Sequence, residues 1–279
     1  MPAENLNLGS LRLPRPALMG ILNVTPDSFS DGGLNTQLDD ALLAAETMVD
    51  EGADIIDVGG ESTRPGAKAV GVDEELARVI PVVEGLRRRP DVMVSVDTSC
   101  PEVMTAAIDA GAVMINDVRA LTRPGALEAV AERDVAVCLM HMRGSPDTMQ
   151  REPHYQDVVQ EVSRFLGQAI ERCVNAGIDQ RRVLVDPGFG FGKSLQHNLT
   201  LLSRLSTLHS LGCPVLVGVS RKSMFQQLLG RGVESRLAGT LSAGQMALDA
   251  GVSVLRVHDV AAHNDMRKLW CATGKLRRI

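Results

Sequence analysis

Eight runs rich in Val, Ile, Leu and Ala recur along the chain, and each is followed by a loop and then by a stretch with helical periodicity. The runs are continuously apolar, which is typical of parallel strands that are buried on both faces. This repeated strand–helix pattern predicts an α/β fold, a (β/α)8 TIM barrel, which usually takes about 250 residues as one domain. The runs cover residues 17–23, 53–59, 92–97, 113–117, 135–141, 183–188, 214–220 and 253–258.

The N-terminal residues lie outside this pattern. They alternate leucine with polar residues and are interrupted by Pro14 and Pro16, which predicts a short N-terminal hairpin or arm without a catalytic role. We therefore divide the 279-residue chain into an arm over 1–16 and a single barrel domain over 17–279. No apolar stretch reaches the roughly 20 residues that span a bilayer, so no membrane partner is expected.

Charge and cysteine content narrow the class of protein further. The formal net charge is −5, and no block of Lys and Arg is interleaved with aromatic residues, so no nucleic-acid partner is expected. The cysteines are odd in number and never form a C-x-x-C pair, which predicts free thiols in a reducing compartment. Because the N-terminus also lacks the features of a signal peptide, we expect a cytoplasmic protein. The cysteines are Cys100, Cys138, Cys173, Cys213 and Cys271.

Nearly every apolar run ends near a polar residue that can take part in chemistry. In a closed barrel of parallel strands these ends form one rim, and active sites of this fold lie on that rim. The residues are Asn23, Asp57, Asp97, Asn116, His141, Asp186, the Ser220-Arg221-Lys222 cluster, Arg256 and His258.

Two long loops follow the first two runs, and loops of this length in a compact domain are usually functional. The first, 24–36, is rich in oxygen-bearing side chains and begins beside Asn23, whose carbonyl oxygen suits Mg²⁺. The alternative is an asparagine that simply ends the strand. The second, 60–72, carries Arg64, which can bind a phosphate or carboxylate or can simply be solvated.

The segment DPGFGFGK at 186–193 has glycines that bring a backbone close to a ligand, but it is not a phosphate-binding loop. Pro187 occupies a position where the Walker spacing needs glycine, and Lys193 occupies the last glycine slot of G-x-G-x-x-G. The sequence leaves open whether Phe189 and Phe191 stand at the rim or in the core.

Charged groups at the other strand ends predict an anion site and a site for a nitrogen-rich ring. Lys222 lies just after the seventh run, and Arg256 and His258 lie at the end of the eighth, where barrel phosphate sites often form. Three acids need cationic or hydrogen-donating partners, or else form a structural network with Asn116. They are Asp57, Asp97 and Asp186. His141 shows no zinc-ligand spacing and can serve to end its strand.

In this order, the motifs closely resemble those of bacterial dihydropteroate synthases. The resemblance runs from about residue 17 to 260 through GILNVTPDSFSDGG, DVGGESTRPGA, SVDTS, INDV, MHMRG, DPGFGFGK, SRKS and RVHDV. It implies a transferase of folate (tetrahydrofolate) biosynthesis, a sulfonamide target that joins a dihydropterin methyl diphosphate to 4-aminobenzoate and releases diphosphate. It also implies a TIM barrel that uses Mg²⁺ and forms a homodimer.

The resemblance assigns roles to individual positions. The pterin-holding positions fall on Asp97, Asn116, Asp186 and Lys222, and those that contact the diphosphate fall on Thr63, Arg256 and His258. The metal position is Asn23, and the 4-aminobenzoate side is formed by Thr25, Arg64, Pro65, Phe191 and Ser220. The expected catalytic residues are Asp97, Lys222, Arg256 and His258.

Two other functions remain open at this point. One is the non-catalytic pterin-binding domain of cobalamin-dependent methyltransferases, although the complete SRKS and RVH elements favour the synthase. The other is an aldolase that forms a Schiff base on Lys222. The final predicted helix, 260–272, offers Leu269 and Trp270 either to a dimer interface or to the core.

Overall fold

The predicted α/β barrel is confirmed by the computed structural model, which describes residues 5–25, 34–61, 70–89, 92–144, 149 and 153–276. The N-terminal strands are β1 (Leu6–Leu8) and β2 (Leu11–Leu13). The barrel strands are β3 (Ala17–Asn23), β4 (Ile55–Gly59), β5 (Met93–Asp97), β6 (Met114–Asp117), β7 (Ala136–Met140), β8 (Val183–Asp186), β9 (Leu216–Val217) and β10 (Val254–Val257).

Helices surround these strands. They are α1 (Leu34–Asp50), α2 (Val72–Leu86), α3 (Pro101–Ala110), α4 (Ala126–Ala131), α5 (Val158–Asn175), α6 (Leu195–Ser203), α7 (Ser223–Leu229), α8 (Leu237–Asp249) and α9 (Val260–Leu276). Local sequence explains several of their ends: the Asp157 side chain accepts from two backbone amides at the start of α5, and Ser194 with His197 forms a capping box on α6. In the described ranges, no helix combines the length and apolar character needed to cross a bilayer.

The strands form one parallel sheet in the order β8-β7-β6-β5-β4-β3-β10-β9. A parallel bridge between Val185 and Val215, the residue just before β9, brings the two ends of the sheet together and closes the barrel. The seventh strand is shorter than the predicted 214–220. The chain leaves the sheet after Val217 and turns through Arg221, whose φ is +55°, into α7.

The N-terminal hairpin closes one end of the barrel. Leu6 pairs with Leu13 and Leu8 with Leu11, and these four side chains are buried while their neighbours are exposed. They pack in one cluster with inward residues near the starts of the strands, such as Met19, which explains the alternation in the sequence. The predicted hairpin is therefore the floor of the barrel.

The barrel interior changes from apolar to polar along the strands. Successive inward positions are two residues apart, so the floor residues Ile55, Met114 and Leu184 are followed by Asp57, Asn116 and Asp186. The next inward positions lie at the C-terminal ends of the strands and include Asn23 and Asp97, which flank Gly59 in the strand register. All of the polar side chains lie in the half of the barrel that is opposite the hairpin.

Candidate active site

The strand register places Asp57 deeper than the sequence indicates. Strand β4 continues to Gly59, so Asp57 lies one inward position below the rim, whereas Asp97 ends its strand and pairs in register with Asn116. Asp57 is fully buried, and its Oδ2 accepts from Nδ2 of Asn116 at 3.0 Å. The acids are therefore arranged at two depths.

Arg256 joins these two levels. Its Nε donates to Oδ2 of Asp57 at 2.7 Å, and its Nη2 donates to Oδ2 of Asp97 at 2.9 Å. Gly218 on the neighbouring chain segment lies beside the arginine, and a Cβ there would make an ordinary van der Waals contact, 3.7 Å from the Cβ of Arg256. The Nη1 atom forms no hydrogen bond with the part of the protein that the structure describes, so it is available to a ligand.

Burial and the opposite charge of a neighbouring group shift the pKa of these side chains in opposite directions. Burial opposes the charge of Arg256, but Asp57 and Asp97 outweigh it and hold the pKa of the guanidinium above its usual value. Burial also raises the pKa of Asp97, although Arg256 partly offsets that rise. The pKa of Asp186 is raised by burial too, while its Oδ1 accepts from the backbone N–H of Gly188 at 2.7 Å.

His258 is neutral at physiological pH. Burial first, then Arg256 and Arg221, lower the pKa of its imidazole to about 3. The backbone N–H of His258 donates to Oγ of Ser220 at 3.1 Å, and that oxygen lies 3.0 Å from Nδ1. The hydroxyl proton can thus be donated to Nδ1, which leaves Nε2 as the protonated nitrogen of the neutral ring.

Lys222 lies against the loop that follows β8. Its Nζ is 4.1 Å from the centroid of the Phe191 ring, and a Cβ on Gly190 would come within 3.1 Å of its Cδ. Burial and the nearby Arg256 lower the pKa of Lys222 to about 8. Of the two phenylalanines, Phe189 is buried in the core and Phe191 is half-buried beside Lys222, which answers the question that the sequence left open.

Lys193 was not recognised as a site residue from the sequence. It is only 2% exposed, and its Nζ lies 2.9 Å from Nδ1 of His141 beneath the loop that carries Phe191. Burial lowers the pKa of Lys193 to about 7, and burial with the lysine charge lowers that of His141 to about 2. A lysine within a segment of glycine and phenylalanine was the available signal for this contact.

Asn23 was the candidate metal ligand. A Cβ on Gly59 would stand 3.8 Å from Oδ1 of Asn23 and 3.7 Å from Cβ of Asp97, so the glycine keeps a space open beside the amide oxygen. The described residues contain no cluster of three His, Cys, Asp or Glu side chains suited to a metal. An amide oxygen beside open space suits a hard ion such as Mg²⁺, which takes few protein ligands and completes its shell with water and phosphate.

The structure describes two of the remaining candidates and does not describe the other three. Thr25 lies just after β3 and is half-buried, and Ser220 contacts His258 as given above. Thr63, Arg64 and Pro65 lie outside the described residues. The described candidates from β3, β5, β6, β8, β10 and the two loops after β8 and β9 are brought to the same end of the barrel.

The candidate site can bind a ring through hydrogen bonds in its deeper part and an anionic group nearer its mouth. Carboxylate and amide groups at the depth of Asp57, Asn116 and Asp186 can accept hydrogen bonds from ring N–H groups. The ammonium of Lys222 can donate to an oxygen or nitrogen of the same ring, and the guanidinium of Arg256 can stabilise negative charge on a group nearer the mouth. A planar, nitrogen-rich ring that carries an anionic substituent is the ligand that satisfies both.

Comparison with known proteins agrees with this chemistry and confirms the resemblance. The model of the pterin binding enzyme family matches residues 19–258, from β3 to just after β10. The dihydropteroate synthase of Escherichia coli (strain K12) is 56% identical over 251 residues, which cover 90% of this chain and 89% of that protein.

Solved structures of similar proteins have the same fold over almost the whole chain. Yersinia pestis dihydropteroate synthase, in a sulfonamide drug complex, has a TM-score of 0.92 at 51% identity and covers 98% of this chain and 100% of its own. Xanthomonas albilineans dihydropteroate synthase, in complex with 7,8-dihydropteroate, has a TM-score of 0.88 at 50% identity, with coverage of 97% and 99% respectively.

Proposed function

This chain belongs to the pterin binding enzyme family, and on that basis we propose that it is a transferase with dihydropteroate synthase activity. It condenses (7,8-dihydropterin-6-yl)methyl diphosphate with 4-aminobenzoate to give 7,8-dihydropteroate and diphosphate, a step of folate biosynthesis. The observation that carries the proposal is the double contact of Arg256 with Asp57 and Asp97, which sets a cation directly above buried acceptors.

The pterin ring occupies the deep part of the site. Asp97, Asn116 and Asp186 accept from or donate to its ring edge, and Lys222 donates to its oxygen or ring nitrogen. These groups hold the ring in one orientation within a pocket that excludes water, which places its methylene carbon toward the mouth. The same carboxylates favour positive charge on the ring as the leaving group departs.

The diphosphate lies nearer the mouth. Arg256, through its available Nη1, and His258, after taking up a proton, stabilise the charge that accumulates on the departing diphosphate. Thr63 is proposed as a further contact. Cleavage of the bond between the methylene carbon and the diphosphate oxygen gives a pterin methylene cation. The methylene carbon then forms a new bond to the amine nitrogen of 4-aminobenzoate.

The 4-aminobenzoate binds on the outer side, at Thr25, Arg64, Pro65, Phe191 and Ser220. Its amine nitrogen attacks the methylene carbon after the diphosphate has left. A neutral aromatic amine is already nucleophilic, so the reaction needs no dedicated activating base. The proton that the new secondary amine releases goes to solvent or to the diphosphate.

Magnesium is part of this proposal. Asn23 would hold the ion through its amide oxygen, and the ion would supply charge stabilisation to the diphosphate oxygens. Asn23→Ala is expected to raise the Mg²⁺ concentration needed for half-maximal turnover about tenfold, since it removes a direct ligand. An unchanged requirement would count against Asn23 as the ligand.

We also propose a cytoplasmic homodimer. The five cysteines are free, as a reducing compartment requires. A groove between α8 and α9 is lined by Leu241, Ala262, Met266 and the 67% exposed Leu269, which offers an apolar face to a second copy. Trp270 instead packs toward the core and donates to Asp249 at 2.9 Å. Sedimentation of wild type and Leu269→Glu tests this assignment: a dimer that the substitution dissociates supports it, and a monomeric wild type refutes it.

A condensation assay tests the activity itself. The purified chain is mixed with both substrates, with and without Mg²⁺, and 7,8-dihydropteroate and diphosphate are measured. Stoichiometric formation of both products supports the proposal. Pterin binding without diphosphate release would favour a non-catalytic pterin-binding domain, and borohydride trapping of a carbonyl substrate on Lys222 would favour an aldolase.

A further inference from the structure

The loop 186–193 is supported from below by a buried ammonium. The Nζ of Lys193 lies 2.9 Å from the Gly188 carbonyl oxygen, 3.0 Å from that of Phe191 and 3.3 Å from that of His141. Its fourth contact is Nδ1 of His141 at 2.9 Å. All four acceptors are uncharged, because the buried imidazole is neutral at physiological pH.

Burying the Lys193 ammonium at this position is energetically costly, and we infer that the lysine has a role there. Transferring an ammonium from water into a protein interior carries a desolvation penalty of several kcal/mol, which the charge of Asp186 only partly offsets at Lys193. Hydrogen bonds to carbonyl oxygens offset part of this penalty. Two of the three carbonyls belong to the loop itself and the third belongs to His141, the residue after β7, so the ammonium fastens the loop to the end of the neighbouring strand.

Other contacts hold the three glycines of the same loop. The backbone N–H of Gly190 donates to Oδ1 of Asn198 at 2.8 Å, and the Tyr155 hydroxyl donates to the Gly192 carbonyl at 2.8 Å. Gly188 has a φ of +68°, and a Cβ there would lie 2.0 Å from the His141 carbonyl oxygen. The loop is therefore held in one conformation close to the end of β7.

The fastened loop presents one side chain to the candidate active site. Phe191 lies between the Lys193 anchor, which holds its carbonyl at 3.0 Å, and Lys222, whose ammonium lies 4.1 Å from its ring centroid. An ammonium at this distance from an aromatic face is attracted to the ring. The position of the ring and that of the Lys222 ammonium are thus coupled through the loop backbone.

We propose that Lys193 is a positioning residue for the reaction: it fixes the loop 186–193 so that the Phe191 ring and the Lys222 ammonium keep their mutual placement. The kinetic part of this inference rests on the proposed function, because it takes Phe191 to face 4-aminobenzoate. Lys193 itself touches none of the reacting atoms and acts through Phe191.

The structural part is tested without any assay of activity. The five phenylalanines are labelled with fluorophenylalanine, and the Phe191 resonance is assigned in ¹⁹F spectra with Phe191→Leu. Lys193→Met is expected to shift and broaden the Phe191 resonance and to leave that of Phe225, buried on α7, unchanged. Lys268→Met, at an exposed lysine on α9, is the matched control.

The kinetic part is tested by a double-mutant cycle. Lys193→Met is expected to lower kcat/KM for 4-aminobenzoate about tenfold in the wild-type background and less than about threefold in the Phe191→Leu background. Effects that multiply independently would overturn action through Phe191, because a purely structural loss does not depend on that ring. If Lys193→Met does not fold, Lys193→Gln, whose shorter side chain has two N–H donors and no charge, carries both tests with a smaller expected shift and a smaller expected loss.

The two hypotheses fail in different ways. If the wild type makes no 7,8-dihydropteroate, the proposed function fails, while the ¹⁹F spectra still decide whether Lys193 holds Phe191. If the wild type is active and the Phe191 resonance is the same in Lys193→Met and wild type, the positioning role fails and the proposed function stands.

Discussion

The Nε atom of Arg256 donates to Oδ2 of Asp57 across 2.7 Å inside the barrel, where Asp57 is fully buried. This contact fixes the guanidinium from below, so that its second link, to Asp97, has a defined direction. Asp57 also accepts from Asn116. Asp57, to which the family resemblance assigns no ligand, thus orients Arg256 and Asn116, which are both proposed to bind one.

Removing the charge of Asp57 is expected to harm both stability and turnover. Asp57→Asn breaks a buried ion pair while leaving Arg256 buried, which costs about 3–5 kcal/mol of unfolding free energy. We expect turnover to fall at least about tenfold, a loss of roughly 1.4 kcal/mol in transition-state stabilisation. Urea unfolding and steady-state kinetics measure the two effects. Asp109→Asn, which breaks an exposed pair with Arg133, is the control and should cost under about 1 kcal/mol; an equal cost in both variants would contradict the prediction.

Binding of diphosphate is expected to draw a proton onto His258. The imidazole is neutral in the free protein because its pKa is about 3, and an adjacent anion favours the charged form and raises that pKa. Calorimetry at about pH 6 in two buffers of different ionisation enthalpy measures the proton uptake. The wild type should give buffer-dependent heats and His258→Gln much smaller differences. Identical heats for the wild type in both buffers would disprove proton uptake.

Acid is expected to destabilise the free protein through His141. Its folded pKa of about 2 lies below the ordinary value of 6.5, so as pH falls below the ordinary value the unfolded chain binds a proton that the folded protein does not. Stability is present above that value and is lost on acidification, by up to about 1.4 kcal/mol per pH unit for one such group.

Urea unfolding at about pH 7 and about pH 5 measures this slope. His141→Gln should make the slope shallower by nearly one proton, even if it lowers stability at both values. His154→Gln, at an exposed histidine, is the comparison. A slope that stays the same in His141→Gln would show that the imidazole does not carry the effect.

The hairpin is expected to matter for stability and not for chemistry. Leu8 is 1% exposed in the cluster that closes the barrel floor, and Leu8→Ala should cost about 2–5 kcal/mol. Because the floor is opposite the candidate site, kcat of the folded fraction should stay within about twofold of wild type. Leu43→Ala, at a 62% exposed leucine on α1, should change stability by less than about 0.5 kcal/mol. Thermal melts and kinetics on the same samples test the separation, and a loss of kcat in Leu8→Ala would contradict it.

The sequence predicted the barrel because buried parallel strands are visible as continuous apolar runs, which depend on local composition alone. It overestimated the seventh strand, since Val219 continues the apolar run after the chain has left the sheet. The turn depends on Arg221, whose Nε donates to Oδ2 of Asp259 at 3.1 Å, a contact between residues distant in sequence. No local pattern carries that information.

For the candidate site, too, the sequence predicted some features and not others. Asp97, Asn116, Asp186, Lys222, Arg256 and His258 were predicted as candidates because they lie at or just after the ends of apolar runs. The neutral state of His258 was not, because it results from burial and from two arginines that only the fold brings near. Lys193 was passed over because three of its four acceptors are backbone carbonyls, which every residue has.

The hairpin at the floor of the barrel determines the end at which substrates bind and products dissociate. Because Leu6, Leu8, Leu11 and Leu13 close the far end, we expect molecules that reach Asp57 and Asn116 to enter and leave at the C-terminal ends of the strands. A bicyclic ring seated at that depth is covered by whatever binds beside Phe191. We therefore expect ordered binding, in which the pterin substrate binds before 4-aminobenzoate. The product can dissociate only when no other molecule occupies the entrance.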